Sequence, residues 1–136
     1  MESRLVYMDH AATTPVHPKV LEAMMPYFNQ EYGNPNSVHS LGRSAREAVD
    51  RARETVAQIL NCQSQEIVFT SCGTESINLA IKRIAKARGK TGHIITSAIE
   101  HHAVLHTVEQ LEREGYTATI LPVSPDGLVD PDDVRN

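Results

Sequence analysis

The sequence predicts an α/β fold whose sheet is largely parallel, and three observations support this prediction. Short apolar segments that suit strands alternate with longer segments in which apolar residues recur every three or four positions, as on one face of a helix. Glycine and proline fall between these segments, where turns are expected. Of the 136 residues, 40% are hydrophobic, which is enough for the core of one modest domain. Because a helix separates successive strands, the strands are expected to run parallel.

The first half of the chain is predicted to be an arm followed by helices. Residues 5–8 form a short apolar strand or an extended arm. A helix is expected over 18–30, because proline suits its first position. Residues 33–37 have the composition of a loop. The clearest helix covers 41–60, where one apolar stripe is opposed by charged residues.

The second half is predicted to alternate strands with helices. Strands are expected at 66–70, 93–97 and 117–123. One helix is expected to begin after Ser76 and to end around Gly89, and a second is expected at 103–114. A turn follows at 125–127. Asp130 and Pro131 are an N-cap and a first helical residue, so another helix is expected to begin there.

Composition argues against several classes of function. Thirteen basic and seventeen acidic residues give a net charge of −4, which does not favour nucleic acid or an anionic membrane as a partner. The apolar runs are far shorter than the ~20 residues of a membrane span, and the first residues lack the apolar segment of a signal peptide. Cys62 and Cys72 form no CxxC pair, and so few cysteines favour a reducing, cytoplasmic setting.

The most informative segment is the junction at residues 69–76, FTSCGTES. A predicted strand ends there, Gly73 permits a tight turn, and a helix begins. The first N–H groups of a helix have no partner within it and its dipole is positive there, so phosphate binds well. Thr74 and Ser76 would add hydroxyl donors, although Ser71 or Thr74 acting only as a cap is the alternative. The GxxxxGK[ST] pattern of a P-loop is absent.

A second polar segment, Glu100-His101-His102, follows the strand predicted at 93–97. Ligands of open α/β sheets bind outside the carboxyl ends of strands, and a histidine there can stack on a planar cofactor or move protons. The alternative is a pair of surface histidines. His102 and His106 share a helix face, which leaves a small metal-binding module open. However, no HExxH motif or cysteine completes a ligand set, so no metal is assigned.

Four motifs, in order along nearly the whole chain, resemble those of one family. They are YMDHAATTP at 7–15, GNPNSVH at 33–39, IVFTSCGTES at 67–76 and HIITSAIEHHAV at 93–104. Together they are similar to the class V aminotransferase-like family, in particular the cysteine desulfurases, which are pyridoxal-phosphate (PLP) enzymes of fold type I. The resemblance implies a three-layer large domain with a largely parallel sheet. Its first part would span 16–136, after an N-terminal arm at 1–15.

The resemblance also implies roles for individual residues. Gly73 and Thr74 would hold the PLP phosphate through backbone N–H groups and the threonine hydroxyl. His101 would stack on the pyridine ring and assist proton transfer. Three further residues would lie near the substrate entrance: Ala12, Thr13 and Asn34.

The implied reaction converts L-cysteine to L-alanine in a cytoplasmic homodimer. The sulfur would pass as a persulfide to an acceptor protein for iron–sulfur cluster assembly or tRNA thiolation, with no membrane or direct nucleic-acid partner. The family's imine-forming lysine, pyridine-pairing aspartate, sulfur-accepting cysteine and carboxylate-binding arginine are all expected beyond position 136. The chain alone is therefore expected to be inactive.

Other nucleophilic residues of the chain do not match those roles. Lys82, Lys86 and Lys90 are interpreted as solvated, and Cys72 as a small buried residue beside a tight turn. Two other interpretations stay open besides the metal-binding module. One is a class V aminotransferase or lyase with another substrate, and the other is a non-catalytic fragment that binds a partner subunit.

Overall fold

The computed structural model describes residues 5–89 and 92–135, and their contacts form two compact units. The first unit ends at Val68 and the second begins at Phe69. The arm expected at 1–15 and the large-domain segment expected at 16–136 remain predictions. The beginning of that arm and Lys90 lie outside the described residues.

The first unit opens with two short helices. Helix α1 spans Pro18–Met24 and helix α2 spans Pro26–Asn29. The single helix predicted over 18–30 is therefore wrong at its middle, because Pro26 has no N–H with which to continue the hydrogen-bond ladder. Residues 5–8, predicted as a strand or an extended arm, are not assigned to a strand in the described part of the chain.

The long helix α3 spans Ser40–Leu60, close to the prediction. It ends at Asn61, whose φ of 53° lies in the left-handed region that asparagine tolerates. The preceding loop packs against its first turn. A Cβ on Gly42 would overlap the carbonyl oxygens of Asn34 and Ser37, so only glycine fits at this approach.

The second unit contains a two-stranded parallel sheet with its crossover helix. Its elements are α4 (Gly73–Ala87), β1 (His93–Ser97), α5 (His102–Arg113) and β2 (Thr117–Leu121). His93 lies opposite Thr117, and Ser97 lies opposite Leu121. Helix α5 joins the strands and packs against both β2 and α4. This order confirms the predicted α/β class and the parallel pairing.

The strand predicted at 66–70 is wrong. Ser64–Glu66 form a 3-10 helix, in which the Glu66 carboxylate accepts a hydrogen bond of 2.7 Å from the backbone N–H of Gln63. Residues 67–70 are not assigned to any strand of the described chain. Apolar and β-branched residues favour a strand, but they form one only where a neighbour supplies the ladder bonds.

The core of the second unit lies under α5. Val108 and Leu111 are fully buried, and Leu121 of β2 is 6% exposed. After β2, the turn predicted at 125–127 is present, with Gly127 at a φ of 79°. Among the described residues, no helix is both long and apolar enough to cross a bilayer.

The predicted cap near position 130 is confirmed. The Asp130 side chain accepts a hydrogen bond from the backbone N–H of Asp132, and the 3-10 helix Pro131–Val134 follows.

Candidate functional site

The start of α4 forms the first part of the candidate site. Its N-cap residue, Cys72, has extended backbone angles (φ −164°, ψ 168°), and its side chain makes no capping hydrogen bond. Histidine side chains, in contrast, cap α1, α3 and α5. Within the described residues the backbone N–H of Gly73 makes no hydrogen bond, so it is open to a ligand, and the helix dipole favours an anion there.

The hydroxyl groups around this turn are used differently. Those of Thr70 and Ser76 hydrogen-bond to each other at 2.6 Å, and Ser76 also donates to the Cys72 carbonyl oxygen at 3.3 Å. Ser76, predicted as a donor to phosphate, is thus already engaged. Within the described residues the Thr74 hydroxyl makes no hydrogen bond and its side chain is exposed, so it is free to donate to a ligand.

Ser71 holds a carboxylate and does not cap α4. Its hydroxyl and its backbone N–H both donate to Glu75 Oε2 at 2.7 Å. These two hydrogen bonds lower the pKa of the Glu75 carboxyl group. Because Cys72 is the N-cap residue of α4, the interpretation in which Ser71 or Thr74 caps the helix is wrong. These hydrogen bonds hold the Glu75 carboxylate against Ser71.

Cys72 is exposed at the same turn, so the expectation that it is buried is wrong. The backbone N–H of Glu75 lowers the pKa of its thiol, as do the Ser71 hydroxyl, 3.8 Å from the sulfur, and the backbone N–H of Thr74.

Helices α4 and α5 border a groove of about 330 Å³, the α4–α5 groove. Its lining residues are Thr74, Asn78, His101, His102, Ala103, His106, Thr107 and Gln110. Thr74 and His101, both predicted to contact the cofactor, thus line one groove. Gly73 lies just before it, and a Cβ there would meet nothing within 4 Å. The roles of the three residues remain predictions.

Sequence reasoning missed three groove residues, Asn78, Thr107 and Gln110, and the contact of a lysine with one of them. Lys82, interpreted as solvated, is half-buried and donates to Gln110 Oε1 at 2.8 Å, which links α4 to α5. Asn78 donates from its amide to the Thr74 carbonyl oxygen at 3.0 Å. The spacing of four residues between Thr74 and Asn78, which places them on one helix face, could have revealed Asn78.

His101 connects the end of β1 to the start of α5. The Ser97 hydroxyl, at the last residue of β1, donates to Glu100 Oε1 at 3.0 Å. His101 Nδ1 accepts a hydrogen bond of 3.0 Å from the backbone N–H of Ala103. The imidazole is therefore fixed to the helix at the carboxyl end of a parallel strand, where ligands of such sheets bind.

His102 and His106 form a stacked pair in the same groove. Their ring centroids are 5.4 Å apart and their planes are inclined by 24°. The described residues contain no group of three or more histidine, cysteine, aspartate or glutamate side chains placed to hold a metal ion. This pair alone offers fewer protein ligands than the three or four of typical zinc sites.

The residues expected near the substrate entrance all lie in the first unit and are exposed: Ala12, Thr13 and Asn34. The Tyr7 hydroxyl donates to the Thr13 carbonyl oxygen at 3.1 Å. Asn34 Oδ1 accepts a hydrogen bond of 2.9 Å from the backbone N–H of Asn36. These bonds shape two loops, and the entrance role of the three residues remains a prediction.

The chain is similar to several known proteins. The family model described as aminotransferase class-V matches residues 6–136. Cysteine desulfurase IscS of Methanosarcina thermophila is 52% identical over 136 residues, which is 99% of this chain and 34% of that protein. Cysteine desulfurase IscS of Dictyoglomus turgidum (strain DSM 6724 / Z-1310) is 51% identical over 97% of this chain and 34% of that protein.

Solved structures agree with these matches. A NifS-like protein superposes with a TM-score of 0.88 at 42% identity, covering 95% of this chain and 36% of that one. SspA in complex with cysteine gives a TM-score of 0.85 at 43% identity, covering 94% of this chain and 37% of that one. The chain thus spans about a third of the length of its relatives. The predicted resemblance to part of the cysteine desulfurases is confirmed.

Proposed function

Because the chain belongs to the aminotransferase class-V family, we propose that it supplies the phosphate- and ring-binding part of a PLP-dependent cysteine desulfurase. The enzyme as a whole would convert L-cysteine to L-alanine and pass the sulfur on as a persulfide. The names of the IscS relatives and the cysteine bound to SspA support this substrate.

One observation carries the proposal: an uncapped helix start and an imidazole border the same groove. The open N–H of Gly73 and the free Thr74 hydroxyl are donors that suit a phosphate dianion, and the Thr74 N–H, which interacts with the Cys72 thiol, would join them by turning to the phosphate. His101 lines the same groove as Thr74. A phosphorylated aromatic cofactor has these two parts, an anionic group and a flat ring, so the residues present fit PLP.

Each residue then has a binding or orienting task. Gly73 and Thr74 hold the phosphate, and the absence of a side chain at Gly73 leaves the approach to the helix start open. His101 covers one face of the ring and holds a proton beside it. PLP supplies the electron sink that the reaction needs, which no side chain can provide.

The remaining parts of the machinery are proposed to lie outside this chain. Since the chain spans about a third of its relatives, we place the cofactor lysine, its pyridine-pairing aspartate, the sulfur-accepting cysteine and the carboxylate-binding arginine in the rest of the enzyme. The homodimer, the cytoplasmic setting and a sulfur-acceptor protein for iron–sulfur cluster assembly or tRNA thiolation belong to that whole enzyme. The chain by itself would not release sulfur from cysteine.

Binding of pyridoxine 5′-phosphate tests the proposal, because this probe lacks the aldehyde that reacts with surface lysines. Titration should shift the backbone amide signals of Gly73 and Thr74. Replacement Thr74→Val should weaken binding roughly 10- to 100-fold, since a hydrogen bond to a charged group contributes about 1.5–3 kcal/mol.

The matched control is Thr55→Val in α3, an exposed threonine whose hydroxyl donates to the Arg51 carbonyl oxygen at 2.9 Å. It should leave binding unchanged. Equal binding of pyridoxine without its phosphate, or an equal loss in both variants, would contradict a phosphate site at α4.

A further inference from the structure

The hydrogen bond that caps α5 determines which nitrogen of His101 carries its proton. Nδ1 accepts from the Ala103 N–H at 3.0 Å, and a nitrogen that accepts a hydrogen bond has no hydrogen of its own. The neutral imidazole has a single N–H, which must then be on Nε2. We infer that the cap fixes His101 as the Nε2–H tautomer, so it meets a ligand in the α4–α5 groove as a hydrogen-bond donor and not as a base.

The described surroundings of Ala103 offer its N–H no other acceptor that could replace His101 Nδ1 at this cap. Ala103 is 7% exposed, and its N–H belongs to the first turn of α5, where the helix supplies no acceptor. The buried hydroxyl of Thr107 donates to the Ala103 carbonyl oxygen at 2.7 Å, which fixes the residue from its other side. A ring that turned away would leave a buried N–H without an acceptor, and such groups are costly.

The neighbouring titratable groups of the described chain have other partners and do not hydrogen-bond to the nitrogens of the His101 ring. The Glu100 carboxylate is engaged by Ser97, and the Lys82 ammonium is engaged by Gln110. His102 lies with its ring centroid 6.2 Å from that of His101 and stacks instead on His106. Within the described residues, Nε2 of His101 has no hydrogen-bond partner, so its proton is available to the groove.

The consequence deepens the proposed function, on which it rests. To accept a proton, His101 would have to release Ala103 from Nδ1. The residue therefore holds a proton at Nε2 and directs it to an acceptor atom, such as a carboxylate, phenolate or thiolate of the bound molecules. Removal of a proton from the substrate then belongs to another group.

Nuclear magnetic resonance of the ¹⁵N-labelled full chain, kept cold with a stabilising osmolyte, tests the tautomer without cofactor. At mildly alkaline pH, His101 should show a proton on Nε2 only, and Nδ1 should couple to the Ala103 amide across the hydrogen bond. His106, which stacks on His102 but makes no hydrogen bond in the described structure, provides the reference for a ring whose tautomer no hydrogen bond fixes. A mixture of tautomers at His101 like that of His106, or a proton on Nδ1, would overturn the inference.

Two replacements separate the cap from the ring. His101→Asn keeps an acceptor at the cap, whereas His101→Phe keeps a flat ring without one. Amide exchange at Ala103 should stay slow in His101→Asn and become roughly fivefold or more faster in His101→Phe. Equal exchange in the two variants would also overturn the inference.

The equivalent pair at His17 is the matched control, because its Nδ1 accepts from the Lys19 N–H at 3.2 Å in the same way at the start of α1. His17→Phe should leave Ala103 exchange unchanged. None of these readouts needs PLP, so a failure of cofactor binding and a failure of the tautomer assignment give different results.

Discussion

Cys72 shows how strongly a single residue depends on its local hydrogen bonds. Its motif position suggested a buried structural residue, but the thiol is exposed at the start of α4. Donors from the Glu75 backbone and the Ser71 hydroxyl lower its pKa. A larger fraction of this thiol is therefore ionised at neutral pH than in a free cysteine, and only the thiolate reacts with alkylating agents.

We expect the alkylation of Cys72 by iodoacetamide to reach half of its maximal rate at a lower pH than that of a cysteine model peptide. Its rate should fall as the pH drops through the lowered pKa. In a Cys62→Ser background, which leaves one reactive cysteine, Ser71→Ala should move the midpoint upward. Ser71→Thr keeps the hydroxyl and should restore it. A midpoint that is the same in Ser71→Ala and in the parent would contradict a role for this hydroxyl.

The sequence could predict candidate site residues only where their position at the end of a helix or a strand pointed to them. The helix start after a short apolar segment pointed to Gly73 and Thr74, and the position just after β1 pointed to His101. The hydrogen bond of Lys82 depends on which side chains meet across α4 and α5, and that of Ser76 depends on its contact with Thr70 before α4. Such contacts depend on packing that a linear pattern does not contain.

At the scale of elements, prediction succeeded where a local signal decided the structure. Helices α3 and α5 and strand β1 have one apolar face and clear ends, and their bounds match within a residue or two. One error also has a local cause, because Pro26 divides a predicted helix. The other does not, because the predicted strand at 66–70 has no neighbouring strand among the described residues.

The loop over the first turn of α3 yields a prediction at this scale. A methyl group at Gly42 would overlap two carbonyl oxygens of the loop at 34–37. We expect Gly42→Ala to destabilise the first unit by about 1–3 kcal/mol, as overpacking usually does. Faster amide hydrogen exchange along α3 would measure this loss.

Gly73→Ala provides the comparison, because a Cβ there meets nothing within 4 Å. It should leave exchange in α3 unchanged. If Gly42→Ala exchanged as slowly as the parent chain, the close approach of the loop would be wrong.

For the whole molecule, the described core is small. Its buried apolar residues are Ala45, Ala57, Ala85, Ala103, Val108, Leu111 and Leu121. A fully buried valine or leucine contributes about 1.5–3 kcal/mol, whereas ordering a residue's backbone costs roughly 1–2 kcal/mol. Since small alanines make up most of this core, the chain alone is expected to have a low free energy of unfolding.

The apolar side chains that are not buried form a surface that can associate. Helix α4, β1 and the segment before β2 border an apolar groove of about 260 Å³, lined in part by Ile81, Ile84, Ile94 and Tyr116. Ile84 is 61% exposed. Exposed apolar patches of this kind favour association with other chains.

We therefore expect the isolated chain to self-associate as its concentration rises, to bind a hydrophobic dye, and to melt over a broad temperature range. Ile84→Lys should reduce the association, measured by sedimentation, without lowering the helix content. Ala80→Lys adds the same charge to an exposed position of α4 and keeps the isoleucine, so it should change the association less. If the chain instead sediments as a monomer at every concentration and melts sharply, its exposed isoleucines do not limit its stability.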